Sequence, residues 1–184
     1  PRHEDPLQPL GEAQGIDAEG LLAGQGFGAG RLRRPPAEQA QFTLDLQQPE
    51  GQRLARELAL QSDVVIQNFK VGGAEKLGLG YEQLQALNPR LVYASVSGFG
   101  QSGPNAARPA YDIIVQALSG LMALTGEPDA APTMVGEAMA DVAGGLFAAW
   151  GIMVALFDRS RTGQGRVVDL ALFDALLSMM PSAG

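Results

Sequence analysis

Cysteine is absent from the 184-residue chain, which removes disulfide frameworks, thiolate zinc sites and a cysteine nucleophile. Histidine occurs once, as His3, so neither a histidine-based triad nor a histidine metal cluster is available. Basic residues are short, with 13 Lys and Arg against 20 Asp and Glu and a net charge of -7. A nucleic-acid surface needs a dense basic face, and the only tight cluster is Arg31, Arg33 and Arg34, so no nucleic-acid partner is expected. The first thirty residues show no basic start followed by an apolar core, so no signal peptide is expected. The longest apolar run, Val142 to Phe157, falls short of the roughly 20 residues of a bilayer span and is interrupted by Gly144, Gly145 and Gly151. The expectation is therefore a buried helix in a soluble, cytoplasmic protein with no membrane partner.

What remains is enough for one sizeable core. The chain starts at Pro1 and closes on PSAG after an apolar stretch, as expected of a processed, truncated or incomplete piece of something longer. Residues 1–40 are rich in Gly, Pro and Gln without a sustained period, and are expected to be disordered or a distorted remnant. Within them LLAGQGFGAG has the glycines of a phosphate loop but lacks the flanking strand and helix, so a flexible linker is the better reading.

From Phe42 the pattern becomes regular. FTLDL alternates like a strand, PEGQRLARELALQS begins with Pro49 and Glu50 and carries Leu54 and Leu58 at helical spacing, and DVVIQNF is a β-branched run. GYEQLQALNPR reads as a helix stopped at Asn88-Pro89, and LVYASVSGFG as a second buried strand. YDIIVQALSGLMAL places Ile114, Leu118, Leu121 and Met122 on one helical side, and a long helix follows Asp141. DRSRTGQG reads as a polar turn, RVVDLAL as a strand and FDALLSMM as a helix start. Strand, helix, strand in this order points to an α/β fold: a parallel, Rossmann-like sheet flanked by helices, with sites built at the C-terminal strand ends.

Four places carry chemistry-bearing groups. Asp141 stands alone at the door of the apolar run, where the commoner role for an aspartate is to cap the helix N-terminus. A carboxylate held there beside small residues is also a plausible nucleophile. Asn68, Phe69 and Lys70 leave the second strand, and would offer an amide, an aromatic and a cation to a phosphorylated or nucleotide-like ligand. SGFGQSGP is a flexible turn by itself; it is followed by Arg108, Tyr111 and Asp112, the last of these favoured at a helix start.

Taken together these blocks resemble the class III CoA transferases, the family of formyl-CoA, carnitine and bile-acid CoA transferases. The likeness runs from about Phe42 to Met179, through FTLDLQQPEG, SDVVIQNFKVGG, EKLGLGYEQLQALNPRLVYASVSGFGQSGP, RPAYDIIVQALSGLMALTGEP, GEAMAD and LFDRSRTGQGRVVDLALFDALL. The resemblance implies that Asp141 attacks the CoA thioester. It further implies CoA contacts at Asn68, Phe69, Lys70 and Lys76, a thioester-side wall of Arg108, Ala110, Tyr111 and Asp112, and Leu44 to Gln47 near the nucleotide. Acyl-CoA and carboxylic acids would be the substrates, with neither a metal nor a resident cofactor. Residues 41–184 would be part of the large domain of an interlocked homodimer.

Two other functions stay open. The α-methylacyl-CoA racemases resemble the same blocks but use a histidine where Tyr111 stands, and a tyrosine with its reference pKa of ~10 is a poor base at neutral pH. The other is a non-catalytic CoA-binding or assembly module left by truncation; the chain also departs from the family pattern in AEQAQFTLDL, which has no Lys or Arg where the family's basic residues reach the CoA phosphates.

Overall fold

The computed structural model describes residues 43–180, of which residues 44–180 belong to one compact unit. The Arg31, Arg33 and Arg34 cluster, His3 and the LLAGQGFGAG stretch lie outside the described residues.

Three short strands form the sheet: β1 (Val64–Gln67), β2 (Val92–Ser97) and β3 (Val167–Ala171), in that spatial order and all parallel. Val64 pairs with Val92 across the first junction and Tyr93 with Val167 across the second. Parallel neighbours need crossovers, and here helices supply them. α1 (Pro49–Leu60) precedes β1. The short α2 (Gly73–Lys76) and α3 (Tyr81–Gln85) link β1 to β2. α4 (Asp112–Leu118), α5 (Leu121–Leu124) and α6 (Met139–Thr162) link β2 to β3, and α7 (Leu172–Ser178) follows at once. The α/β fold with a parallel, helix-flanked sheet is thus the one read from the sequence.

Strand alternation splits the core into two. Tyr93 on β2 turns to one face, where it packs with Ala59, Leu84 and Leu91 and donates its hydroxyl to the Leu79 carbonyl at 2.8 Å. Burial, and secondarily the charge of Glu75, push the Tyr93 phenol up to about 12. On the other face Val115, Ala140, Ala148, Leu170, Leu172 and Leu176 form the second cluster, with Val96 packed against it.

α6 packs in the reverse of the usual sense. Its sheet side is made of small residues, Ala140, Ala143, Gly144, Ala148 and Ala155, while Val142, Leu146, Trp150, Met153, Val154 and Phe157 are exposed. Glycine is required for the close approach: a Cβ on Gly144 would stand 2.3 Å from Leu172 Cδ2, and one on Gly151 2.7 Å from Val168 Cγ1. The expectation of a buried helix is corrected accordingly. The helix is only partly buried; it has 24 residues, and its most apolar 18-residue window has a mean hydropathy of 1.7, so it is long and apolar enough to cross a membrane by length and composition.

Other expectations change for local reasons. Thr43–Asp45 of FTLDL is not a strand, because Asp45 turns the chain: its Oδ1 accepts the Gln47 N–H at 2.9 Å and its carbonyl the Gln48 N–H at 3.1 Å, leading into α1. DRSR is not a turn. α6 continues through it to Thr162 and ends at Gly163, in the left-handed conformation at φ 75°, whose N–H donates to the Arg159 carbonyl. The YDIIVQALSGLMAL helix breaks at Gly120, φ 85°, and its first half buries Val115 and Gln116 while Ile114 and Leu118 stay exposed.

Candidate active site

Because all three strands run the same way, the segments leaving Gln67 and Ser97 emerge at one edge of the sheet. Asn68 leaves β1 and donates its amide to the Val96 carbonyl at 2.7 Å, which ties it to the neighbouring strand. The Phe69 N–H donates to Gln67 Oε1 at 2.6 Å, while Gln67 Nε2 donates to Ser95 Oγ at 2.9 Å. The NFK exit is thereby held by side chains of both strands. From β2 the chain passes through the glycine loop, whose Gln101 N–H donates to both carboxylate oxygens of Asp169 at 3.2 and 3.0 Å. It then returns through Arg108, which donates to Asn105 Oδ1 at 3.2 Å and lies 5.6 Å from the Phe99 ring centroid.

Two open hollows lie along this edge. The first, about 220 Å³, is lined by Asn68, Phe69, Lys70, Arg108, Ala110 and Tyr111, together with Ser97 and neighbouring loop residues. The second, about 440 Å³, is lined by Tyr111, Asp112, Glu137, Asp141 and the residues between them in space. Tyr111, 75% exposed, belongs to both walls and is the hinge between them. Of the residues picked out in sequence, Lys76, Leu44 and Gln47 line neither hollow; Lys76 closes α2, and Gln47 sits in the turn before α1.

Asp141 is exposed and does not cap α6. Its helix is capped from outside by a residue of α4. The N-cap position is Ala138, which has no capping side chain, and Asp141 is the third helical residue. Asp112 Oδ1 accepts the Ala140 N–H at 2.7 Å and the Asp141 N–H at 3.3 Å, taking two of the free donors of the first turn. The helix end favours an ionised carboxylate at Asp141. Partial desolvation opposes it, followed by the negative charge of Asp112, and the result is a carboxyl raised above its ordinary value of 3.8.

Sequence reading overlooked Gln116, which is fully buried. Its Nε2 donates to Asp112 Oδ2 and, at 3.0 Å, to the Glu137 carbonyl, while its Oε1 accepts the Val135 N–H at 3.1 Å. The signal was present as an Asp and a Gln four residues apart, a spacing that places both on one helical face.

The geometry defines an α/β protein with a carboxylate-bearing pocket at the C-terminal edge of a parallel sheet. The chain belongs to the CoA-transferase family III, whose model matches residues 36–183. It is 44% identical over 161 residues to a succinate–glutarate CoA-transferase of Agrobacterium fabrum, covering 88% of this chain and 39% of that protein. It is 48% identical over 129 residues to an alpha-methylacyl-CoA racemase of Homo sapiens, covering 70% of this chain and 34% of that protein. Among solved structures, a CAIB/BAIF family protein from Brucella suis superposes with a TM-score of 0.73 at 47% identity, over 75% of this chain and 36% of that one. The chain thus spans less than two fifths of the length of these relatives.

Proposed function

We propose that the protein carrying this chain is a CoA transferase that moves CoA between carboxylic acids, with Asp141 as the nucleophile. The observation that carries the reading is the position of Asp141. Its carboxylate lines an open hollow that shares Tyr111 with the hollow holding Asn68, Phe69, Lys70 and Arg108.

Each step balances. An Asp141 oxygen attacks the donor thioester carbonyl, the C–S bond breaks, and a mixed anhydride and CoA thiolate result. The thiolate attacks the aspartyl carbonyl, releasing the donor carboxylate and leaving an aspartyl-CoA thioester. The acceptor carboxylate attacks that thioester, CoA thiolate leaves again, and its attack on the acceptor acyl carbon regenerates Asp141. The thioester bond energy passes from one acyl group to the next, so the sequence of steps calls on neither a nucleotide nor a metal.

The first hollow is proposed to take the thiol end of CoA, with Lys70 and Arg108 as cations near its mouth. Lys76, Leu44 and Gln47 are proposed contacts further along the same ligand, outside both hollows. We propose a homodimer as the working assembly and the cytoplasm as its place.

The racemase named among the relatives supports a second reading, in which Asp141 and a partner base move a proton at the α-carbon. By the resemblance Tyr111 stands where the racemases carry their histidine, and an exposed phenol is ill suited to that role. The full-length protein separates the two: transfer between acids lost in a folded Asp141→Ala and kept in Tyr111→Phe supports transfer. Deuterium exchange at the α-carbon that depends on both residues supports racemisation. A folded protein that binds CoA and does neither is a binding module.

A further inference from the structure

We infer that Gln116 is a positioning residue for Asp141, acting through Asp112. The inference rests on Asp141 being the reacting carboxylate.

Gln116 has no access to either hollow and touches no ligand position; it is fully buried on α4. Its amide nevertheless joins the three pieces of backbone and side chain that decide where Asp141 stands. The Nε2 group donates to Asp112 Oδ2, which leaves Oδ1 of the same carboxylate to receive the Ala140 and Asp141 N–H groups. The same Nε2 donates to the Glu137 carbonyl, and Oε1 accepts from Val135, so both ends of the segment entering α6 are fastened. Within that segment nothing lies within 4 Å of a Cβ placed on Gly136 and Glu137 is exposed, so Gln116 supplies its side-chain tie to α4.

An apolar side chain would suit the surroundings, as Val115 beside it belongs to the core cluster. A buried amide is costly unless satisfied, and here the donor group and the acceptor are both used. One planar amide supplies both N–H donations, to the Asp112 carboxylate and the Glu137 carbonyl, and accepts the Val135 N–H, without needing a particular protonation state. Asp112 can then present its other oxygen to the helix in one orientation. The ionisable neighbours in this network are Asp112 on α4, Glu137 before α6 and Asp141 within it.

The test uses the full-length protein with an acyl-CoA donor and an acceptor acid. Gln116→Met keeps length and removes both hydrogen-bonding functions. Its kcat is expected to fall roughly 10-fold to 100-fold, the scale of a misplacement of about 1 Å, with KM for the acyl-CoA within about twofold. Combined with Asp112→Ala, it should be no slower than Asp112→Ala alone, because the two act in series. Gln116→Glu, a second variant that keeps the shape, offers an O–H donor to Asp112 only when protonated. Its turnover relative to wild type should therefore rise as pH falls. A folded Gln116→Met with kcat within about twofold of wild type, losses that multiply in the double variant, or a pH-independent deficit in Gln116→Glu overturns the inference. Asp141→Ala run alongside separates the two claims. Loss of turnover there with an unaffected Gln116→Met sinks the positioning role alone, and retained turnover there overturns both.

Discussion

Asp112 Oδ1 accepts the backbone N–H of Asp141 at 3.3 Å across 29 residues of sequence, so one carboxylate terminates the helix that carries the other. The contact has two consequences of opposite sign. It satisfies free donors at the start of α6, and it sets a negative charge beside Asp141.

The first consequence predicts the effect of removing the cap. Asp112→Ala should destabilise the fold by about 0.5–2 kcal/mol, the range found for helix caps, whereas Asp112→Asn keeps an acceptor and should cost less. Denaturant unfolding of both variants checks the order.

Partial burial of Asp141, and after it the charge of Asp112, predicts how stability depends on pH. The folded pKa of Asp141 lies above 3.8, so the folded state binds that proton more tightly than the unfolded chain. The stabilisation is present in full below 3.8 and is lost as pH rises through the folded value. Relative to Asp141→Asn, wild type should therefore lose ground as pH climbs from below 3.8 to neutral. Thermal unfolding across that range reads the effect, and a wild type that gains ground contradicts it.

Adjacent glycines in α6 should respond in opposite ways to alanine. Nothing lies within 4 Å of a Cβ on Gly145, so Gly145→Ala should stabilise by up to about 1 kcal/mol through helix propensity. Gly144→Ala places its methyl 2.3 Å from buried Leu172. Overpacking of about 1–3 kcal/mol there outweighs the propensity gain. Paired unfolding curves decide the signs.

Arg159 links the far end of α6 to the sheet. Its Nη2 meets Asp63 Oδ1 at 2.9 Å, and its Nη1 donates to the Asp63 and Arg90 carbonyls at 3.2 and 3.1 Å. The arginine side chain is only 14% exposed, and a lysine's single ammonium cannot reproduce donation from the two fixed nitrogens, Nη1 and Nη2. Arg159→Lys should cost about 1–2 kcal/mol by denaturant unfolding.

The strands were legible as short β-branched runs, as in Val64–Ile66 and Val167–Val168, and α1 because Pro49 marks its start. What stayed hidden depends on distant neighbours. The cap of α6 comes from Asp112, so an aspartate in the first turn looked like the cap itself. DRSR is polar enough for a turn, yet the Arg159 clamp and Gly163 carry the helix past it. The buried face of α4 holds Gln116, a residue that composition assigns to the surface and that only its three partners explain. In the site, the NFK exit and the Arg108 to Tyr111 return share one hollow because parallel strands bring their ends together. Lys76, Leu44 and Gln47 lie on other segments and do not line that hollow.

The central claim, that Asp141 takes up the acyl and then the CoA group, is tested most directly by chemical trapping. The full-length protein is incubated with an acyl-CoA, quenched with hydroxylamine and digested. Mass spectrometry of the peptide spanning Met134 to Phe157 should show a hydroxamate at Asp141 that requires the acyl-CoA. An unmodified Asp141 in a protein that is turning over would contradict the account.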